Sequence, residues 1–209
     1  MRPVNKVVVV LVAAVSVLIL AEAVIGATTG APSLGTATGS PVVEWVFRVA
    51  VLAMSAGLIV VMVSNAAVID AGRRSRTVLR WTTITTTAAY TIFDTGWALL
   101  GPSAEALWLT NEDQTPWWLV PVNLLGWIGI AAPAALGATM LLQGDRSSAA
   151  WLLTAAVVVY LLTFWLLTSV GSAWASLAYS GVVTNLGLAL LGTTPPESHR
   201  ARTQETTAA

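Results

Sequence analysis

Between Lys6 and Glu22 the chain carries no charge and a single hydroxyl, and it opens on Val7-Val8-Val9-Val10-Leu11. Runs of this kind recur along the sequence. They constrain the fold more than any other feature. About 20 apolar residues cross a bilayer as a helix, which satisfies its own backbone hydrogen bonds where water cannot. Of the 209 residues, 56% are hydrophobic and 10% are charged, where soluble domains carry roughly 25% charged residues. A chain this apolar cannot hide its side chains in one small soluble core. The runs are continuous rather than alternating, which argues against a β-barrel.

The sequence predicts an all-α fold, a polytopic transmembrane bundle of six spans. The expected spans are residues 4–27, 42–70, 78–100, 117–142, 149–170 and 173–191. They form one bundle over residues 1–192, followed by a polar tail, 193–209, expected to be disordered because it holds Pro195-Pro196 and little that is apolar. The segment 28–40 is rich in Gly, Ala, Ser and Thr and carries no charge, and reads as a loose loop.

Orientation follows from the cations. Nine of the ten Lys and Arg residues fall on one side of such a bundle: Arg2, Lys6, Arg73, Arg74, Arg76, Arg80, Arg146, Arg200 and Arg202. The positive-inside rule makes that side cytoplasmic, so both termini are inside an inner (cell) membrane crossed several times. The opposite loops hold Glu105, Glu112 and Asp113 and no cation. Arg2, Lys6 and the valine run also resemble a signal peptide, with Ala21-Glu22-Ala23 as a small-x-small site. The apolar run exceeds a usual signal core, which favours a retained span; cleavage leaves five spans and the same cytoplasmic C-terminus.

Ionisable groups inside a membrane are expensive and usually face the bundle interior. Glu22, Glu44, Arg48 and Asp94 are the four in question. At ~1.5 Å per residue, Arg48 and Asp94 lie roughly 9 Å below the outer ends of their spans, and Asn123 comes to the same level. Glu44 and Arg48 are spaced i,i+4 with the acid first, the favourable order. Tyr90, Asp94 and Trp97 share one face of the third span, and Asn123 and Trp127 one face of the fourth. If these faces converge, the product is a pocket in the outer leaflet, with Asp94 and Glu22 as proton donors. Arg48, Glu44, Tyr90, Trp97, Asn123 and Trp127 would line it. The plainer alternative is that Arg48 pairs with Glu44 or Asp94 and holds helices together.

Most tryptophans fit an interfacial belt. Trp97, Trp127 and Trp165 fall within spans and are expected to line an interior space. The threonines of the third span, and Ala131, Ala135, Gly137, Gly181 and Gly187, read as close-packing positions.

Several chemistries are closed to the membrane interior. There is no Cys, and the one His, His199, is in the tail. That removes disulfides, thiolate catalysis and His-ligated metal or haem, so neither a metal nor a cofactor is expected. No Lys lies within a span, and no phosphate-binding loop is present. With net charge zero, nucleic-acid binding is not expected.

Three functions remain open. The first is a non-redox enzyme, a lyase or isomerase acting on an isoprenoid or lipid-like small molecule by carboxyl acid catalysis, with indole faces steadying a carbocation. The chain is similar to small integral-membrane terpene cyclases in size, helix content and composition, and no motif of theirs aligns to these residues. The second is a non-catalytic subunit or accessory whose partner is another membrane protein. The third is a small proton-coupled transporter; the unlike halves of the chain argue against the internal repeat that many transporters have.

Overall fold

The computed structural model of the protein describes residues 3–29, 34–100, 119–168 and 175–193. Every regular element among them is helical: α1 (Pro3–Thr29), α2 (Leu34–Thr38), α3 (Pro41–Ser64), α4 (Ala66–Asp70), α5 (Arg74–Leu100), α6 (Leu119–Leu142), α7 (Ser148–Thr168) and α8 (Ala175–Ala189). Four stretches, Val4–Thr29, Pro41–Ser64, Leu124–Leu142 and Ser148–Leu167, are long and apolar enough to cross a membrane. The polar tail and the 101–118 segment lie outside the described residues.

Apart from the short α2 and α4, each helix packs on the next in the chain, and α8 returns to pack on α1. The result is a closed ring of α1, α3, α5, α6, α7 and α8. Because α8 also reaches α3 and α6, it is the most enclosed element. The direction of each helix is set by contacts at one end of the bundle. Asn5, at the start of α1, meets Asn65 beyond the end of α3 and the Leu191 carbonyl beyond the end of α8. Arg76, at the start of α5, meets the end of α6. Neighbours therefore alternate in direction. The end that gathers these contacts is called the near end below, and the opposite one the far end.

The core follows from helical spacing. Val8, Val12 and Val15 recur at i, i+4, i+7 on α1 and pack with Met54, Leu58 and Met62 of α3, Leu136 of α6 and Leu188 of α8. One close approach is at Leu153 of α7, which is fully buried. A Cβ on Gly137 of α6 would stand 2.6 Å from the Leu153 Cβ and 2.8 Å from the Ala150 carbonyl oxygen. One on Gly187 of α8 would stand 2.9 Å from the Leu153 side chain. Both glycines are close-packing positions, as their sequence context predicts. Ala131 and Gly181 are not: Ala131 is exposed, and a Cβ on Gly181 would meet nothing within 4 Å.

The near end is polar and tightly bonded. The expected second span is not continuous, because the helix breaks at Asn65. Its side-chain amide donates to the Val61 carbonyl at 2.9 Å and to Asn5 Oδ1 at 3.3 Å. A short amide side chain that bonds nearby backbone competes with the helix ladder. The chain continues as α4 and turns through Ala71 and Gly72, both at positive φ. Arg76 is only 4% exposed. Its Nε donates to Gln143 Oε1 at 2.6 Å, Nη1 to the Ile69 carbonyl and Nη2 to the Met140 carbonyl, each at 3.4 Å. Asp145 lies 3.6 Å from Nη1 and supplies the countercharge. Burial pushes the Arg76 guanidinium below its ordinary value, and Asp145 opposes that shift. One turn on, Arg80 grips Asp70 through two bonds of 2.8 and 3.0 Å.

That grip holds the Asp70 carboxyl below its ordinary value, the hydrogen bond from Arg80 outweighing desolvation. A lowered carboxyl stabilises the fold above its unfolded pKa, near 4, and loses that contribution as pH falls through the folded value.

Two glycine replacements test the packing. Gly137→Ala forces its methyl into Leu153 and the α7 backbone, and is expected to destabilise the protein by about 1–3 kcal/mol. Gly126→Ala, on the same helix with nothing within 4 Å of its Cβ among the described residues, is expected to be neutral or stabilising by up to about 1 kcal/mol. Thermal unfolding in detergent measures both; equal shifts for the two would contradict the packing described.

Candidate functional site

At the far end the glycine- and threonine-rich segment folds rather than hanging loose. Leu34–Thr38 make the single turn of α2. Thr38 Oγ1 donates back to the Leu34 carbonyl at 2.8 Å. Gly39, at φ +63, lets the Ser40 N–H return to the Gly35 carbonyl at 3.0 Å, the pattern that ends helices at a left-handed glycine. Pro41 then opens α3 with its φ preset.

Two carboxylates hold this turn. The Leu34 N–H donates to Glu22 Oε1 at 3.3 Å, and the Gly35 N–H to Glu44 Oε2 at 3.1 Å. Glu22 belongs to α1 and Glu44 to the first turn of α3, where an acid also favours the helix dipole. The other oxygen of Glu44 accepts Arg48 Nε at 2.7 Å, with both side chains largely buried. The Arg48 guanidinium lies 5.7 Å from the Phe47 ring centre. The expected i,i+4 pair is therefore formed. Gly35 is required at its position, because a Cβ there would stand 2.5 Å from the Glu44 Cβ. Leu34 and Gly35 are buried beneath the turn. The loose-loop expectation fails here because the anchors lie outside the segment, on α1 and α3.

The structure thus joins Glu22, Glu44 and Arg48 through backbone amides of α2. The remaining expected site residues are distributed differently. Tyr90 sits on α5 and is about half exposed. Trp127 on α6 is 57% exposed and stands edge-on to Tyr160 of α7 at 5.6 Å, and Tyr160 stacks on Phe164 at 5.8 Å. Trp165 is 75% exposed. Trp127 and Trp165 therefore face out of the bundle and do not line an interior space. The side chains of Asp94, Trp97 and Asn123 lie outside the described residues.

The threonines of α5 behave as packing groups. Thr83 and Thr86 are buried and donate to carbonyls one turn back, at 2.8 and 2.9 Å. Among the described residues, no three His, Asp or Glu side chains stand together as metal donors would. Chemically, the far-end group is a set of carboxylates already accepting N–H donors from a backbone turn and a guanidinium.

Sequence reasoning did not single out Asn5, Asn65, Asp70, Gln143, Asp145 or Tyr160. The two asparagines are 60 residues apart, and no local pattern marks them. Long, apolar alternating helices with polar ends define the class as a helical membrane protein. Comparison with protein-family models, curated proteins and solved structures returns no match for this chain.

Gly35→Ala tests the far-end cap. Overpacking of about 1–3 kcal/mol against Glu44 is expected to speed amide hydrogen exchange across Leu34–Thr38 by about tenfold or more, since local opening follows local stability. Unchanged exchange would show that Glu44 does not hold the turn.

Proposed function

We propose that the chain is a six-span protein of the inner membrane, with both termini cytoplasmic, acting as a non-catalytic subunit or accessory of a membrane complex. The observation that carries the functional part is the bonding of Glu22 and Glu44. Each is engaged by a consecutive amide of α2, and Glu44 also by Arg48. Groups fixed in this way serve as anchors rather than as proton donors to a substrate.

The six-span count rests on α5 and α8 joining the four more apolar helices. α5 is less apolar for a reason found in the packing, and α8, at 15 residues, is the shortest of the six. The first turns of α5 carry Arg76 and Arg80, buried against partners at the near end. Ser180 and Thr184 of α8 are buried inside the ring. Orientation rests on Lys6, Arg73, Arg74, Arg76, Arg80 and Arg146, which belong to segments that meet at the near end. The positive-inside rule makes that end cytoplasmic.

Acid catalysis on an isoprenoid or lipid-like substrate, as in a membrane terpene cyclase, would depend on Asp94. Mild purification from native membranes separates the readings, comparing wild type, Asp94→Asn and Glu22→Gln. The subunit reading predicts a stoichiometric membrane-protein partner, with only bulk lipid among the extracted small molecules of all three. A discrete isoprenoid that accompanies wild type and is lost from Asp94→Asn would contradict it and favour the enzyme. Proton-coupled uptake abolished by Asp94→Asn would favour a transporter instead.

A further inference from the structure

Among the described residues the arginines of the near end divide into two sets, a division that the sequence alone does not reveal. Arg76 and Arg80 turn inward and are bonded to Asp145 and Asp70. Arg73, Arg74 and Arg146 are exposed, and none of the three has an ion pair or side-chain hydrogen bond among the described residues. Among the described residues the two inward arginines neutralise both near-end aspartates, and the outward three have no acidic partner there. They are also neighbours in space. Arg73 and Arg74 precede Arg76 at the start of α5, and Arg146 follows Asp145 in the α6–α7 turn. The Arg76–Asp145 contact of 3.6 Å ties these two segments together.

Below the charges, the bundle surface is apolar and aromatic. Arg74, Val78 and Trp81 fall at i, i+4 and i+7 on α5, one helix face, and Val78 and Trp81 are 56% and 52% exposed. Trp151, one turn into α7, is also exposed. The Trp81 ring stands 5.0 Å from the Arg80 guanidinium, which fixes the indole at this level. Exposed guanidinium groups, with indoles and aliphatic side chains directly beneath them, match one kind of ligand. That ligand has a phosphate headgroup carrying net negative charge, with acyl chains running along the helices.

We propose that Arg73, Arg74 and Arg146, above Val78, Trp81 and Trp151, form a headgroup site for an anionic phospholipid of the inner leaflet at the α5–α6–α7 junction. This rests on the membrane reading above but not on the subunit reading. A zwitterionic lipid satisfies the site less well, because its own ammonium group competes with the arginines for the phosphate. Each basic residue near such a surface adds to the attraction, so the three acting together select lipid by charge.

The test uses the full chain in nanodiscs made from equal parts phosphatidylglycerol and phosphatidylcholine. The protein is extracted into mild detergent and its retained lipid is quantified by mass spectrometry. Wild type is expected to retain phosphatidylglycerol over phosphatidylcholine by at least fivefold. The triple variant Arg73→Gln, Arg74→Gln, Arg146→Gln is expected to fall to within twofold of equality, with wild-type thermal unfolding in pure phosphatidylcholine because those side chains make no side-chain bonds among the described residues. Trp165→Leu, on the exposed far half of α7, is the control and is expected to keep the wild-type preference. Equal retention of both lipids by wild type, or an undiminished preference in the triple variant, would overturn the proposal. So would stabilisation by millimolar inorganic phosphate, in phosphatidylcholine alone, matching that given by phosphatidylglycerol; the arginines would then be reading soluble phosphate. Cysteine labelling that finds the near end facing outward would overturn the inner-leaflet assignment together with the membrane orientation it rests on, whereas a lost lipid preference with the near end inside would overturn the headgroup site alone.

Discussion

The buried guanidinium of Arg76 is the contact on which the bundle's geometry depends. A helix that ends in apolar surroundings leaves carbonyls without donors. Arg76 donates to the carbonyls of Ile69 and Met140, near the ends of α4 and α6, and to the Gln143 side chain that follows. One side chain thus terminates two helices and fixes the start of a third. The favourable placement of a cation at helix C-termini adds to the hydrogen bonds. Asp145 keeps the charge from being isolated, and Asp145 is itself held by its N–H bond to the Met140 carbonyl at 2.9 Å. Removing one partner of such a buried pair typically costs about 3–5 kcal/mol.

The far end solves the complementary problem. There it is backbone N–H groups that need acceptors, and carboxylates supply them. Glu22 and Glu44 take the two amides that begin α2, and Arg48 balances Glu44. Between the two polar ends lies an apolar core, with Gly137 and Gly187 packed on Leu153 toward the near end. At both ends, Arg76, Arg80, Asp70, Asp145, Glu22, Glu44 and Arg48 are bonded to helix termini or to one another. The exposed arginines are the exception, and they face outward.

Much of this was legible in the sequence. The apolar runs located the four clear spans, since run length is set by bilayer thickness, but the second was expected to reach residue 70 and ends at Ser64. The Glu44–Arg48 pair was legible because i,i+4 spacing on a helix is a contact rule. The separation of Arg76 and Arg80 from Arg73 and Arg74 was not seen, although the inward two are also spaced i,i+4. Trp127 and Trp165 were misread because position along a helix says nothing of its rotation about its axis. The α2 turn was misread because its anchors, Glu22 and Glu44, lie outside the segment. The Asn5–Asn65 contact closes a loop of 60 residues, and only the tertiary fold brings it about.

The chain contains no cysteine, so single cysteines report their own position without background. The most direct test of the six-span, both-ends-inside account is labelling in intact cells with a membrane-impermeant maleimide. The cysteines go in at Ser40, Ser75, Asn111, Ser148 and Thr203. The account predicts that Ser40→Cys and Asn111→Cys label from outside. Ser75→Cys, Ser148→Cys and Thr203→Cys should label only after the membrane is permeabilised. Labelling of Ser75→Cys or Thr203→Cys in intact cells, or protection of Asn111→Cys, would contradict it.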